Sequence, residues 1–415
     1  MAMSEWFDTT LGQVAEIRVS NVDKKQLPGE RSVRLCNYMD VYAATAVETS
    51  EGLMRATASD AEVLKFGLKA GDVVITKDSE SPDDIAVPAY VPSDLGDDVV
   101  CGYHLAILRP VEAVDGLFLS YLLRLPQVNQ HFAQRATGST RYGLTLDAVQ
   151  SAPLRIPRDL KAQRRLGELL AAIDRRIAGS RALAHKYKKL RAGLFGKLRD
   201  VDCAYEAIGD GFDLQAGTTP LRSQARFYDS EGTPWVKTLD LNDSLLYDSQ
   251  ERVSAAALEA CSLRVHPPGT VLVAMYGGWE QIGRTSLLEI SACTNQAITA
   301  LLAKRPGEWD SYFVLKALQA LRHKWADFAV STRKDPNITK SDIAAFRLPR
   351  LALAGQLEWA ARIRAVDSAL VDEHEVAAKL ELQKQGLMQE LLWGPGRQRM
   401  GSSSTAGRRC APGGA

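Results

Sequence analysis

The feature that most constrains the fold of this 415-residue chain is an internal repeat. The stretch at positions 163–198 recurs at positions 356–391, at a fixed offset of 193 residues, and eight of the 36 paired positions are identical. Gln163 with Gln356 and Asp174 with Asp367 are among the identical pairs. A repeat of this length divides the chain into two similar halves and indicates a two-fold-like architecture.

Both copies of the repeat have the residue spacing of a long amphipathic helix. Apolar residues alternate at intervals of four and three, and the polar interruptions coincide, Ser180 with Glu373 and Arg191 with Lys384. A seam sustained over several heptads predicts a coiled coil, here an antiparallel pair, although each helix could instead pack on its own domain. The predicted seam residues are Leu166, Leu170, Ile173, Ile177, Leu194 and Leu198 in the first copy, and Trp359, Ile363, Val366, Leu370, Leu387 and Leu391 in the second.

Charge is unevenly distributed along the chain, although the formal net charge is only +1. Positions 1–155 carry a balance of −7, positions 161–199 a balance of +10, and positions 356–391 a balance of −3. Because the two predicted helices have opposite charge, we expect them to pair with each other rather than each with its own kind.

The segments that precede the two helices are predicted to be globular α+β domains. Short β-rich runs at 72–76 and 104–108 precede a helical pattern at 117–134, and the same order recurs at 270–274, 297–302 and 311–328. The predicted organisation is a first domain at 1–155, a central helix at 156–200, a second domain at 201–348, a C-terminal helix at 349–394 and a disordered tail at 395–415. Cys101 and Cys293 are aligned and predicted to be buried, and His104 and Gln296 are predicted to make structural hydrogen bonds.

Motifs for catalysis or membrane insertion are missing from the sequence. No phosphate loop, adenine-methylation motif or set of metal ligands with the expected spacing occurs, which favours recognition over catalysis. The six cysteines are scattered, and neither a secretory signal nor an apolar run of transmembrane length is found. We therefore expect a cytoplasmic protein that does not span a membrane.

Several short motifs, in order and inside the internal repeat, give the chain a family resemblance. The motifs are LGQVAEI at 11–17, GTTP at 217–220, TPWVKT at 233–238, YG at 276–277, IGR at 282–284, TNQ at 294–296 and QGLMQEL at 385–391. With these motifs the chain resembles, over positions 11–394, the specificity (S) subunit of type I restriction-modification systems.

The resemblance implies a non-catalytic protein with two target-recognition domains, each reading one half of a bipartite sequence in double-stranded DNA. Two long helices would set the gap between the half-sites and dock two modification (methyltransferase) subunits, which restriction (motor-nuclease) subunits join. S-adenosylmethionine, ATP and Mg are then expected on the partner subunits and no cofactor on this chain. Two alternatives remain open at this point: a coiled-coil adaptor with two protein-binding domains, and an enzyme that modifies nucleic acid.

Candidate DNA contacts are polar residues in loops, because base edges are read by such side chains and phosphates are held by cations and small polar groups. In the first domain an acidic segment that includes Asp78, Asp83 and Asp84 is expected to face away from DNA or to touch a modification subunit. Trp235 and Trp279 are expected mainly to pack in the core or loops. The candidates are Lys77, Ser79, Ser139, Thr140, Arg141 and Tyr142 in the first domain, and Arg222, Lys237, Tyr276, Trp279, Gln281, Arg284, Ser331, Thr332, Arg333, Lys334 and Asn337 in the second.

Overall fold

The computed structural model describes residues 5–329 and 337–393. The candidates Ser331, Thr332, Arg333 and Lys334 and the tail predicted at 395–415 lie outside the described residues. The chain divides into two compact units, one of positions 1–180 with 376–415 and one of positions 181–375. Each long helix is thus shared between both units, and the domain limits derived from the sequence stay predictions.

The first unit is built from small sheets with short helices between their strands. Four strands form a sheet in the order β2-β9-β5-β7, three form another in the order β4-β3-β8, and the pairs β1-β11 and β6-β10 stand apart. The elements are β1 (Trp6–Thr10), α1 (Leu11–Val14), β2 (Ala15–Val19), β3 (Arg31–Cys36), α2 (Tyr38–Tyr42), β4 (Met54–Ala58), α3 (Asp60–Phe66), β5 (Val73–Thr76), β6 (Asp78–Ser79), β7 (Pro88–Tyr90), β8 (Val99–Cys101), β9 (Leu105–Pro110), α4 (Gly116–Leu122), α5 (Pro126–Arg135), β10 (Tyr142–Gly143), α6 (Leu146–Gln150) and β11 (Pro153–Pro157), followed by the long helix α7 (Leu160–Arg199).

Local sequence explains the main elements of this unit. All four residues of β5 are buried, as a continuous apolar run in a central strand should be. The helical pattern predicted at 117–134 is two helices rather than one, because Pro126 begins α5 and the residue before a proline is disfavoured in helical conformation. Asp115 caps α4 by accepting a hydrogen bond from the Phe118 amide at 2.9 Å.

The second unit repeats this topology. The order β13-β20-β17-β18 corresponds to β2-β9-β5-β7, with β15 added at the edge, and β16-β14-β19 corresponds to β4-β3-β8. The elements are β12 (Tyr205–Ala207), α8 (Ile208–Gly211), β13 (Phe212–Ala216), β14 (Tyr228–Val236), β15 (Ser244–Leu246), β16 (Arg252–Val253), α9 (Ala255–Ala260), β17 (Val271–Ala274), β18 (Thr285–Leu288), β19 (Cys293–Thr294), β20 (Ile298–Ala303), α10 (Ser311–Ala320), α11 (Lys340–Ala345) and β21 (Arg347–Pro349), followed by the long helix α12 (Leu353–Met388), which ends in a π turn at Gln389–Trp393.

The apolar stripes of α7 and α12 face the protein interior, and all twelve predicted seam residues are buried or half-buried. In the first unit Leu170 and Met388 belong to the core of the globular part. In the second unit Leu198 and Ile363 do the same. The prediction of mixed α/β domains with two long helices is confirmed, whereas a coiled coil in the strict sense stays a prediction. No helix in the described part of the chain combines the length and apolar character needed to span a membrane.

An ion pair joins α7 to α12 in each unit. Lys384 Nζ lies 2.6 Å from Asp174 Oδ1 in the first unit, and Arg191 Nη1 lies 3.3 Å from Asp367 Oδ1 in the second. The two pairs are related by the repeat, because Asp174 aligns with Asp367 and Arg191 with Lys384. Each pair lies within one unit, and the antiparallel arrangement of the two whole helices stays a prediction.

Candidate nucleic-acid interface

The candidate DNA contacts of both units follow the same strand of the repeated fold. Lys77 comes directly after β5; its amide donates to the carbonyl of His104 and its carbonyl accepts from the amide of Leu144. Met275 comes directly after β17 and makes the same two backbone bonds, to Ala297 and from Ile338. The loops that carry Lys77 and Ser79 in one unit, and Tyr276, Trp279, Gln281 and Arg284 in the other, therefore begin at equivalent positions.

In the first unit a small ribbon brings the predicted residues together. Strands β6 and β10 pair antiparallel, with Tyr142 opposite Ser79 and Gly143 opposite Asp78. Ser139, Thr140 and Arg141 are exposed in the loop that leads into β10, whereas Ser79 is buried. The two groups of candidates, which are far apart in sequence, thus form one polar surface, with Ser79 as a supporting residue.

A charged cluster lies at the centre of this ribbon. Asp78 Oδ2 is 2.6 Å from Nδ1 of His104 and Asp78 Oδ1 is 3.6 Å from Nζ of Lys77. Arg141 Nη2 lies 3.1 Å and 3.3 Å from the two ring nitrogens of the same histidine, which places the guanidinium beside the ring. His104 thus makes the structural hydrogen bond predicted for it, with Asp78 as the partner. The same imidazole ring contacts the Arg141 guanidinium and orients it.

The acidic segment of the first unit does not form one separate surface. Asp78 lies inside the candidate ribbon, Asp84 accepts a hydrogen bond from the Tyr42 hydroxyl, and Asp98 binds Arg34 with 2.5 Å between Oδ1 and Nη2. The hydrogen bond from Arg34 holds the pKa of Asp98 below its usual range. Asp78 thus lies among the candidate contacts, paired with Lys77 and His104, and the expectation that the acidic segment faces away from DNA or touches a modification subunit stays a prediction.

In the second unit Arg222 and Lys237 meet at one carboxylate, Glu251. Arg222 Nη2 lies 2.5 Å from Glu251 Oε2, and the Lys237 ammonium binds the other oxygen. Partial burial favours the neutral acid, but hydrogen bonds from Lys237 and Arg222 outweigh it and lower the pKa of Glu251. The Arg222 guanidinium also lies 4.8 Å from the centre of the Tyr228 ring, so it is held in place while half of its side chain remains exposed.

The loop between β17 and β18 presents two aromatic side chains to solvent. Tyr276 is 43% exposed and Trp279 56% exposed, while Gln281 and Arg284 are half-buried. The loop turns at Gly283, which has a φ of +66° and touches the indole of Trp325 so closely that any Cβ would clash. Asn337 is exposed beside Ile338, whose amide bonds to Met275 at the start of this loop.

The two predicted tryptophans differ in environment. Trp235 is only 2% exposed and its indole nitrogen donates to the carbonyl of Thr218, as expected for a core residue. Trp279 is 56% exposed, so a core position is wrong for it. A loop that turns through Gly277 and Gly278, both at positive φ, carries the indole outward instead.

Cys101 and Cys293 are both fully buried, as predicted. The structure shows, however, that they do not occupy equivalent positions, because the sequence alignment was displaced by one residue. Cys101 lies opposite Cys36 in the β3-β8 pair, and Cys293 lies opposite Trp235 in the β14-β19 pair. The Gly102 amide bonds to the carbonyl of Cys36, as the Asn295 amide bonds to that of Val236, so Cys101 corresponds to Thr294. Burial raises the pKa of Cys36 and of Cys293 to about 12, which keeps both thiols protonated.

Three residues of these surfaces were missed by the sequence analysis: Asp78 and His104 in the first unit, and Glu251 in the second. Asp78 was placed on an acidic surface and His104 in a structural role. Glu251 has no sequence signal, because it is 14 residues from Lys237 and meets it only through the pairing of β14 with β16. Gln296, by contrast, accepts from the Thr219 hydroxyl, as a structural hydrogen bond should.

The fold and the repeat can be compared with known proteins. Residues 201–382 match the family described as type I restriction modification DNA specificity domain. The S subunit of a type I restriction-modification system from M. genitalium is 14% identical, with a TM-score of 0.61 over 94% of this chain and 97% of that one. A structure that describes complex assembly and conformational transition of the type I restriction-modification system is 18% identical, with a TM-score of 0.53 over 93% and 97%.

These similarities cover the two halves of the chain in different ways. The family match lies on the second domain and most of the second long helix, whereas the structural matches extend over nearly the whole chain and concern its fold. The first half repeats the topology of the second, as described above. The second half of the chain is therefore similar in sequence to the type I restriction modification DNA specificity domain, and the chain over nearly its whole length is similar in fold to solved proteins of type I restriction-modification systems.

Proposed function

We propose that the chain reads a bipartite target in double-stranded DNA, with one half-site for each globular domain, and that it has no catalytic activity of its own. The observation that carries this proposal is the repeated fold with non-repeated surfaces. Equivalent loops after β5 and β17 present different side chains, Lys77 in one unit and Tyr276 with Trp279 in the other. One scaffold with two different contact surfaces is what two different half-sites require.

Each surface offers the chemistry that base reading needs. Arg141 is exposed and oriented by His104, and Arg222 is exposed and oriented by Glu251 and two aromatic rings. A guanidinium held in place gives up little conformational freedom when it forms a bidentate contact with guanine. Lys77, Lys237 and Arg284 would hold phosphates or bases at the borders of these surfaces.

The helices α7 and α12 complete the proposal. Their lengths of 40 and 36 residues would set the spacer between the half-sites, and their surfaces would dock two modification subunits, which restriction subunits join. S-adenosylmethionine, ATP and Mg would belong to those partners, and methylation of adenine would need the modification subunits. The assembly would be cytoplasmic, where its DNA substrate lies.

Single substitutions in one domain should change one half-site. In the complex with its modification subunit, Arg141→Ala is expected to relax recognition at one half-site by about 1–3 kcal/mol, roughly a fivefold to 150-fold loss of discrimination. Arg222→Ala should do the same at the other half-site, with Glu251 still neutralised by Lys237. The readout is the sequence around each methylated adenine.

The exposed Arg55, on β4 of the first unit, provides the matched control because Arg55→Ala removes the same charge outside the ribbon. It should leave both half-sites intact. The division of labour would be contradicted if Arg141→Ala altered both half-sites equally, and an adaptor without DNA reading would show no sequence preference in the unsubstituted complex.

A further inference from the structure

The outward surface of α7 carries an unusual number of cations. Eleven lysines and arginines of this helix are exposed, whereas Glu168 is its one exposed carboxylate. Asp174, the other acid of the helix, is half-buried and bound to Lys384. The exposed cations are Lys161, Arg164, Arg165, Arg175, Arg176, Arg181, Lys186, Lys188, Lys189, Lys197 and Arg199.

The internal repeat supplies a direct comparison for these positions. At an offset of 193 residues, Lys379 on α12 is the one counterpart that is also a lysine or arginine. Two exposed leucines, Leu357 and Leu382, stand where α7 has Arg164 and Lys189. The buried sides of the two helices are alike, while their outward sides differ. The other counterparts are Ala354, Glu358, Ser368, Ala369, His374, Glu381, Glu390 and Leu392.

We infer that the cationic face of α7 binds the phosphate backbone of duplex DNA without reading its sequence, as a contact in addition to the two reading domains. The inference rests on the proposed function for the presence of DNA. Positions 161–199 carry +10, so the rest of the chain carries −9. Because duplex affinity depends on neutralising phosphates, a chain that is otherwise acidic needs such a concentrated source of positive charge.

The asymmetry between α7 and α12 favours DNA over a protein as the partner of the cationic face, which leaves the other surfaces of the two helices for the modification subunits. Two identical modification subunits would be expected to meet similar surfaces on the two helices, and the outward faces are not similar. A DNA duplex is present once and can lie along one of them.

The salt dependence of DNA binding tests this inference. The double variant Arg175→Gln with Lys189→Gln removes two exposed charges and keeps good helix formers. The matched control, Arg362→Gln with Lys379→Gln, removes the same charge from exposed positions of α12. Each is assembled with the modification subunit and titrated onto a duplex that contains the target and onto one that does not.

For the α7 variant we expect the slope of log affinity against log salt to become shallower on both duplexes. The expected change is about 0.9 for each phosphate that is no longer neutralised, up to about 1.8 for the two charges removed. The methylated sequence and the slope of the control should stay unchanged. An unaltered slope in the α7 variant would overturn the inference, as would dissociation of the modification subunit from the complex, which would assign this face to that partner. Failure of the proposed function would give a different result from failure of this inference. If the chain did not read a target sequence, the unsubstituted complex would bind the duplex with the target and the duplex without it equally well.

Discussion

Replacement of Asp367 by alanine is expected to destabilise the chain by about 3–5 kcal/mol, the range for breaking a buried ion pair by removal of one partner. Asp367 Oδ2 binds Lys316 Nζ at 2.7 Å and accepts from the Tyr312 hydroxyl at 3.0 Å, and Oδ1 lies 3.3 Å from Arg191 of the other helix. The Lys316 side chain is only 6% exposed, so its charge would remain in the interior without its carboxylate. Burial, with Asp367 beside it, raises the pKa of Tyr312, so this hydroxyl stays a donor at neutral pH.

The midpoint of urea unfolding measures this destabilisation. Glu358→Ala is the control on the same helix, because Glu358 pairs with Arg362 four residues later and both side chains are more than half exposed. Exposed pairs of this kind contribute about 0.3–0.5 kcal/mol, so the midpoint should hardly move. Equal shifts for the two variants would show that Asp367 has no special role in joining the helices.

Equal shortening of both long helices is expected to change the spacer of the DNA target and leave both half-sites unchanged. Deletion of positions 178–184 from α7 and 371–377 from α12 removes one heptad from each helix. The deleted segments lie between the two ion pairs, so Asp174 can still meet Lys384 and Arg191 can still meet Asp367. Seven residues correspond to about 10 Å of helix, so the spacer should shorten by no more than about three base pairs at roughly 3.4 Å per step.

Deletion of the heptad from α7 alone is the control for this experiment. The two ion pairs could then not form together, and we expect a decrease in stability comparable to that of Asp367→Ala and loss of site-specific methylation. Methylated sites read from each variant give the result. Changed half-site letters with an unchanged spacer in the double deletion would contradict the role proposed for the helices.

The helices could be predicted from the sequence because their determinants are local and repeated. An apolar seam with heptad spacing is visible in any window of the repeat, and the polar interruptions Arg191 and Lys384 were visible as well. The role of these two residues could not be predicted, because each binds an aspartate on the other helix that is distant in sequence. Arg191 binds Asp367, 176 positions away, and Lys384 binds Asp174, 210 positions away. The identical Asp174 and Asp367 gain meaning only from those long-range contacts.

The contact surfaces were less predictable because long-range pairing builds them. Lys77 and Arg141 come together through the β6-β10 ribbon, and Arg222 and Lys237 through Glu251. The sequence alignment of Cys101 with Cys293 was displaced by one position, because short β strands of similar composition align equally well in two registers. The exposure of Trp279 depends on loop glycines whose positive φ values are not evident from composition.

A map of methylated adenines tests the central claim most directly. Long-read sequencing of DNA from a host that carries this chain with its modification subunit, compared with the same host without the chain, gives the modified sequence. The account predicts two short specified blocks separated by a fixed number of unspecified base pairs, methylated only when the chain is present. Methylation at one continuous sequence, or a pattern that does not depend on the chain, would contradict it.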